Sequence, residues 1–279
     1  MNEPFHIRIG HSPDPDDAFL FYGMTQGKIP MQGITVEHRL KGIEELNQEA
    51  LAGDLEMTAI SLHAYPYCAD RYLVLTAGAS VGEGYGPVVV ASRPMAPEEI
   101  PLGEVAVPGR LTTASLLLQL AVGKVQAQMM PFDQILEAVQ QNRVASGVLI
   151  HEGQITYQKH GLHKVLDLGE WWEKKTGLPV PLGVNVVRRD LGVRAQTLAH
   201  LFKQSLDYAF ANREEAIRYS MEYGRGLDYG LTDRFVGMYV NRWAVDCRPD
   251  GAKAMQLLLD MAADAGLIPR KIKIEFVEC

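Results

Sequence analysis

The chain is short of cysteine, of basic charge and of long apolar runs. Its three cysteines, Cys68, Cys247 and Cys279, are odd in number and widely spaced, with no CxxC pair. Such a set argues against a disulfide framework and against a structural zinc site. His160 and His163 have a spacing that suits a metal, but no Cys or carboxylate is patterned around them, so no metal is expected. Lys and Arg number 27 against 34 Asp and Glu, a net charge of −7, and no basic block occurs. Nucleic acid and anionic membrane surfaces are therefore poor partners. No run of about 18 apolar residues exists, so no membrane insertion is expected. The opening MNEPFHIRIG lacks the basic and apolar regions of a secretory leader, which predicts a cytoplasmic protein. No GxSxG elbow is present, so a Ser-His-Asp hydrolase is not indicated.

What is present is a 47% hydrophobic chain of 279 residues, enough for a sizeable core or two modest lobes. Phe5–Gly10 and Thr35–Leu40 alternate as strands, and Met57–Ile60, Tyr72–Ala77 and Gly86–Ala91 read as buried strands. So do Glu104–Val107, Met129–Phe132, Ser146–Ile150, Lys164–Leu168 and Leu182–Arg188. Helices are expected at Ala18–Met24, Glu44–Leu51, Leu62–Cys68, Thr112–Val122 and Gln134–Gln140. Four more follow: Gln196–Asn212, Arg213–Tyr223, Asp233–Asn241 and Gly251–Ala265. Strands alternating with helices, then a helical tail, give an α/β protein. The runs Gly86–Ala91 and Leu182–Arg188 bracket a central block. They suggest two lobes joined by a two-strand hinge, residues 1–92 with 189–279 and residues 93–188, around an interlobe cleft. Four glycines between Gly78 and Gly86 resemble a phosphate loop, but no Gly-Lys-Ser/Thr follows. A flexible loop at the cleft edge is the expectation.

Three strand-to-helix turns, Gly10–Asp17, Met57–Leu62 and Val107–Thr113, put Ser12, Ser61 and Thr112-Thr113 just before helices. Unpaired N–H groups at helix starts attract anions, and hydroxyls add donors. Plain N-capping is the alternative. If the turns face one cleft, they can hold a small-molecule carboxylate without a salt bridge. Arg110 beside the third turn suits a carboxylate clamp or a solvated turn equally. Asp14, Asp16 and Asp17 mimic a magnesium cluster, but helix initiation accounts for them more simply. His151 ends the strand Val148-Leu149-Ile150, where parallel sheets deliver side chains to ligands. It reads as a general base, or as a histidine satisfied by a backbone carbonyl. Trp171-Trp172 reads first as core.

Taken together, these segments resemble the 1,4-dihydroxy-6-naphthoate synthase family of the futalosine route to menaquinone. The resemblance runs through Ser12-Pro13-Asp14-Pro15-Asp16-Asp17, Glu44-Glu45-Leu46-Asn47, Ser61 with Tyr65, Gly84-Tyr85-Gly86-Pro87 and Val107-Pro108-Gly109-Arg110 with Thr112-Thr113. It continues through Leu149-Ile150-His151-Glu152, Asp167-Leu168-Gly169-Glu170-Trp171-Trp172, Thr176-Gly177-Leu178-Pro179 and Pro181-Leu182-Gly183. It implies a two-lobed fold similar to type II periplasmic binding proteins. It implies a cofactor-free lyase acting on cyclic dehypoxanthine futalosine, with His151 as base. It further implies that Ile60-Ser61-Leu62 and Thr112-Thr113 bind substrate, that Asn47 lies in the pocket, and that Ser12 and Asp17 belong to the site. The chain departs from the family at Asp14, Asp16 and Ala18, where Cys, Asn and Thr are usual. It departs again at Ala59, where Lys is frequent. These changes predict a more acidic pocket mouth. A small-carboxylate binding protein of the same fold and a chorismate-dehydratase-like enzyme are the rival readings.

Overall fold

The computed structural model describes residues 5–279. The first four residues, on which the reading of the N-terminus partly rests, lie outside the described residues. The described residues form twelve strands: β1 (Phe5–His11), β2 (Ile34–Leu40), β3 (Met57–Ser61), β4 (Tyr72–Leu75), β5 (Ser80–Gly82), β6 (Val88–Ala91), β7 (Glu104–Val107), β8 (Gln126–Met129), β9 (Ser146–Leu149), β10 (His163–Asp167), β11 (Val180–Arg188) and β12 (Phe276–Val277). They make two sheets. The first runs β12-β4-β11-β3-β1-β2, with β5 paired to β11, and the second runs β10-β6-β9-β7-β8.

Within each sheet a parallel set points its C-terminal ends at one edge. β1 is parallel to β2 and β3, and β7 is parallel to β8 and β9. Ligands of α/β sheets bind at such edges. β11 runs antiparallel between β3 and β4. It therefore belongs to the first sheet, and β6 belongs to the second. The sequence bounds 1–92 with 189–279 and 93–188 put these two strands in the opposite lobes.

Helices cover the sheets: α1 (Pro15–Thr25), α2 (Ile43–Ala52), α3 (Tyr65–Cys68), α4 (Thr113–Val122), α5 (Phe132–Gln140), α6 (Gly153–Thr156), α7 (Leu168–Thr176), α8 (Val193–Ala211), α9 (Arg213–Ser220), α10 (Tyr229–Tyr239), α11 (Arg242–Val245) and α12 (Asp250–Asp264). Their ends follow capping chemistry. Asp14 accepts from Asp17 N at the start of α1, with Pro15 at the first helical position. Asp167 caps α7 through Gly169 N and Glu170 N. Gly53, at φ 80°, closes α2 as expected from the sequence. α1 is buried over most of its length because α8 lies against it. Gly23 permits the approach, since a Cβ there would stand 2.7 Å from Ser205 Cα.

Four local expectations change. The Gly78–Gly86 stretch is packed, contains β5, and is pinned by neighbours. A Cβ on Gly78 would meet Phe202 at 2.5 Å, and one on Gly82 would meet the Tyr85 carbonyl at 2.2 Å. The strand expected at Met129–Phe132 lies three residues earlier, and Phe132 opens α5. β8 is an exposed edge strand, so it carries no apolar run to read. The Leu62–Cys68 helix begins as a 3₁₀ turn. The two-residue β12, beside β4, was not anticipated. Trp172 is fully buried in the core and donates to the Pro179 carbonyl, and the cleft does not use it.

Candidate active site

The C-terminal edges of the two sheets meet across one cleft of about 700 Å³, its open mouth included. That volume suits a small organic ligand. All three turns named from the sequence reach it: Ser12 and Asp17 from the first, Ile60 and Ser61 from the second, Thr112 and Thr113 from the third. His151 faces them from the end of β9.

His151 adopts φ 54°, a left-handed backbone that few non-glycine residues take. Such strain is tolerated where the surroundings fix a side chain for use. Its Nδ1 lies 2.9 Å from Asp14 Oδ2, and its ring meets Phe132 edge-on at 4.5 Å. Its Nε2 is buried without a hydrogen-bond partner among the described residues. Asp14 is 1% exposed. Its Oδ2 also accepts from Ser12 Oγ at 2.6 Å, and its Oδ1 accepts from Asp17 N at 3.3 Å. Burial opposes a charge on either partner, but each supplies the other's counter-charge. Asp14 is held well below the usual carboxylate range and the His151 imidazole above its ordinary value.

Asp16 and Asp17 are half-buried beside this pair. Burial, reinforced by the charge of Asp14, pushes Asp17 up to about 8. Burial and both neighbouring carboxylates push Asp16 well above its ordinary value. Ligand atoms of Asp14, Asp16 and His151 fall within 4.8 Å of one another, the one such trio among the described residues. His160 and His163 are exposed and apart from it.

The other sequence candidates divide. Ser61 accepts at Oγ from Asn47 Nδ2, 3.2 Å, leaving its own proton uncommitted. Asn47 is fully buried behind Ser61 and also accepts from Ser61 N at 2.8 Å. It supports the turn and does not line the cleft. Leu62 is likewise buried and outside the lining. Thr112 and Thr113 spend their hydroxyl protons internally, toward Gly109 O and Leu182 O. The first backbone N–H groups of α4, at Thr113 and Ala114, lack intrahelical partners and sit on the cleft. Arg110 is exposed and outside the lining. Glu44 packs over Gly109 and accepts from Leu111 N at 2.9 Å, so Leu111 turns inward and Arg110 outward. His11 is buried and stacked on Phe21 at 4.8 Å. It does not reach the cleft, and burial pushes it down to about 3.

Four lining residues carried no signal in the sequence: Asp14 in the role of histidine partner, Gln154, Asn185 and Tyr239. Gln154 lies 2.6 Å from the Tyr239 hydroxyl, joining α6 to α10. Arg225 reaches the same seam. It pairs with Glu152 at 3.2 Å, donates to the Pro13 carbonyl and stands 4.6 Å over Phe132.

A two-lobed α/β fold with a ligand-sized cleft between its two sheets defines a periplasmic-binding-protein-like architecture. The alkanesulfonate-binding protein of Xanthomonas axonopodis shares the fold, with a TM-score of 0.74 at 13% identity over the whole of both chains. A family described as menaquinone biosynthesis matches residues 7–264, and the chain belongs to it. The chain is similar to 1,4-dihydroxy-6-naphthoate synthases of Thermus thermophilus, 40% identical, and Streptomyces coelicolor, 36% identical. Each match spans 94% of this chain and 95% of the relative. A crystal structure of an Archaeoglobus fulgidus protein superposes with a TM-score of 0.90 at 47% identity, covering 94% of this chain and 98% of that one.

Proposed function

We propose that this enzyme of the menaquinone family is a cofactor-free lyase converting cyclic dehypoxanthine futalosine to 1,4-dihydroxy-6-naphthoate. The observation that carries the reading is His151, with Nδ1 held by Asp14 and Nε2 uncommitted in the cleft. In that tautomer Nε2 carries the basic lone pair. It takes the proton acidified by the substrate carbonyl. The electron pair left on carbon delocalises onto that carbonyl, and elimination then expels the sugar fragment. The substrate carboxylate is received by the Ser61 hydroxyl and the N-terminus of α4, where the helix dipole favours an anion. Closure of the two lobes over the ligand excludes water. Among the described residues no helix is long and apolar enough to cross a membrane, and we place the reaction in the cytoplasm.

The test supplies cyclic dehypoxanthine futalosine and follows the naphthoate product chromatographically, with His151→Asn alongside. The expected result is turnover by the wild type and a loss of about 10²–10⁴ in kcat for the variant. Full activity in His151→Asn overturns the base assignment. Tight binding without turnover favours a solute-binding role, and turnover of chorismate instead moves the enzyme to a dehydratase reaction.

A further inference from the structure

The floor of the cleft is a small patch of the first sheet. β11 pairs antiparallel with β3, setting Gly183 opposite Ser61 and Asn185 opposite Ala59. Side chains two apart on a strand, and their direct partners across the ladder, share one face. These four residues therefore face the same way, and all four line the cleft. Gly183 and Ala59 leave space, while Ser61 and Asn185 supply the polar atoms.

Asn185 is 2% exposed. Its orientation is fixed, because Nδ2 donates to the Gly78 carbonyl at 2.9 Å. Gly78, at φ 77°, brings that carbonyl close, and a Cβ there would stand 2.7 Å from Nδ2. The other end of the amide, Oδ1, is buried and accepts nothing among the described residues. A buried acceptor left unmet is destabilising, so its persistence in a ligand cleft calls for a donor from the ligand. None of the described residues lining the cleft is Lys or Arg. An anionic group at this position would meet a carbonyl oxygen with no Lys or Arg to offset the repulsion. A neutral donor fits.

We propose that Asn185 is a specificity-determining binding residue whose Oδ1 accepts a hydrogen bond from a substrate hydroxyl. Beside it, roughly 7–8 Å away on the diagonal, the Ser61 hydroxyl faces outward as a donor. The floor thus separates an anion-accepting end from a hydroxyl-accepting end. For the reaction proposed above, on which this assignment rests, the hydroxyl belongs to the sugar portion of the substrate. Asp16 Oδ1, also buried and unpartnered on the cleft, adds a second acceptor of the same kind.

The experiment compares Asn185→Leu and Asn185→Asp with wild type, using cyclic dehypoxanthine futalosine in steady-state turnover and in calorimetric binding. Leucine removes the acceptor. A protonated aspartic acid keeps it, and its O–H takes over the donation to Gly78. The expected result is a rise of about 10–100-fold in KM and Kd for Asn185→Leu with kcat changed less than threefold, and near wild-type values for Asn185→Asp at pH 6. Equal impairment of both variants, or no change in Asn185→Leu, overturns the proposal, because a tether to Gly78 alone predicts the first and an idle side chain the second. Binding without turnover by wild type refutes the lyase reading while the Leu-to-Asp ratio still decides Asn185. Absence of binding overturns both.

Discussion

Replacing Asp14 by Asn tests whether the carboxylate makes His151 a base. The side chain has two jobs on two oxygens. Oδ2 takes His151 Nδ1 and Ser12 Oγ, while Oδ1 takes the amide of Asp17 at the start of α1. An amide has a single acceptor oxygen, so the variant can satisfy only one side. If its oxygen stays with His151, the helix cap is lost at about 1 kcal/mol, or roughly 2–4 °C in Tm. If its NH₂ faces His151, Nδ1 must accept, and the proton moves to Nε2, the atom the reaction needs bare. General-base catalysis is worth about 10²–10⁴ in rate, or roughly 3–5 kcal/mol of barrier. In both orientations the counter-charge is gone. The base acts when neutral, so in wild type kcat/KM rises with pH through an apparent pKa above the ordinary histidine value of 6.5. In Asp14→Asn that limb moves to lower pH. The assay is kcat/KM from pH 5 to 9 for both proteins, with an NMR titration of the His151 ring that needs no turnover. A variant with an unshifted limb and wild-type kcat would falsify the dyad.

The pair also links stability to pH: His151, raised in the fold, stabilises below its unfolded value and loses this as pH rises through its folded value. Asp14, lowered, stabilises above its unfolded value and loses this in acid. Asp16→Asn should raise the Tm of the ligand-free protein by about 2–4 °C at pH 7–8. Its folded carboxyl binds more protons than the unfolded one, so it destabilises increasingly above about pH 4; calorimetry showing an equal gain at pH 3 would refute the electrostatic cause. Arg225→Ala frees Glu152 and the Pro13 carbonyl at the seam between the lobes. KM should rise less than tenfold with kcat retained, because both partners are part-exposed, and a larger fall in kcat than in affinity counts against a closing contact. Gly169→Ala places a Cβ 2.1 Å from the Tyr85 carbonyl carbon. That is a backbone clash with no side chain to yield, and a loss of about 1–3 kcal/mol should appear in urea unfolding. An unchanged midpoint would refute the close packing of α7 on the backbone between β5 and β6.

The fold was legible where the sequence pattern has one cause. Strand alternation at β1 and β2, the Pro and Asp signals before α1, and Gly53 after α2 each depend on neighbours in the chain. The bounds between lobes were harder, because β6 and β11 are buried on both faces and their apolar runs do not say which sheet receives them. The site divides in the same way. His151 and the three hydroxyl turns stand at strand ends, which a periodicity reading locates. What each hydroxyl does with its proton depends on partners far along the chain, such as Leu182 O for Thr113, and no spacing encodes that.

Asp14 shows the limit most clearly. In sequence it is a helix cap followed by proline and a departure from a family pattern, and it predicts a more acidic pocket mouth. In the fold it is 1% exposed, and its charge is matched by His151 arriving from the other sheet. The same substitution that looks like added repulsion toward an anionic substrate therefore supplies the group that orients the His151 ring, the base of the proposed reaction. The acidity left facing the ligand is that of Asp16 and Asp17, and burial beside Asp14 raises the affinity of both for protons, that of Asp17 to a pKa of about 8. Under the proposed reading, the anion-accepting end at Ser61 and α4 and the hydroxyl-accepting end at Asn185 suit a substrate that is anionic at one end only.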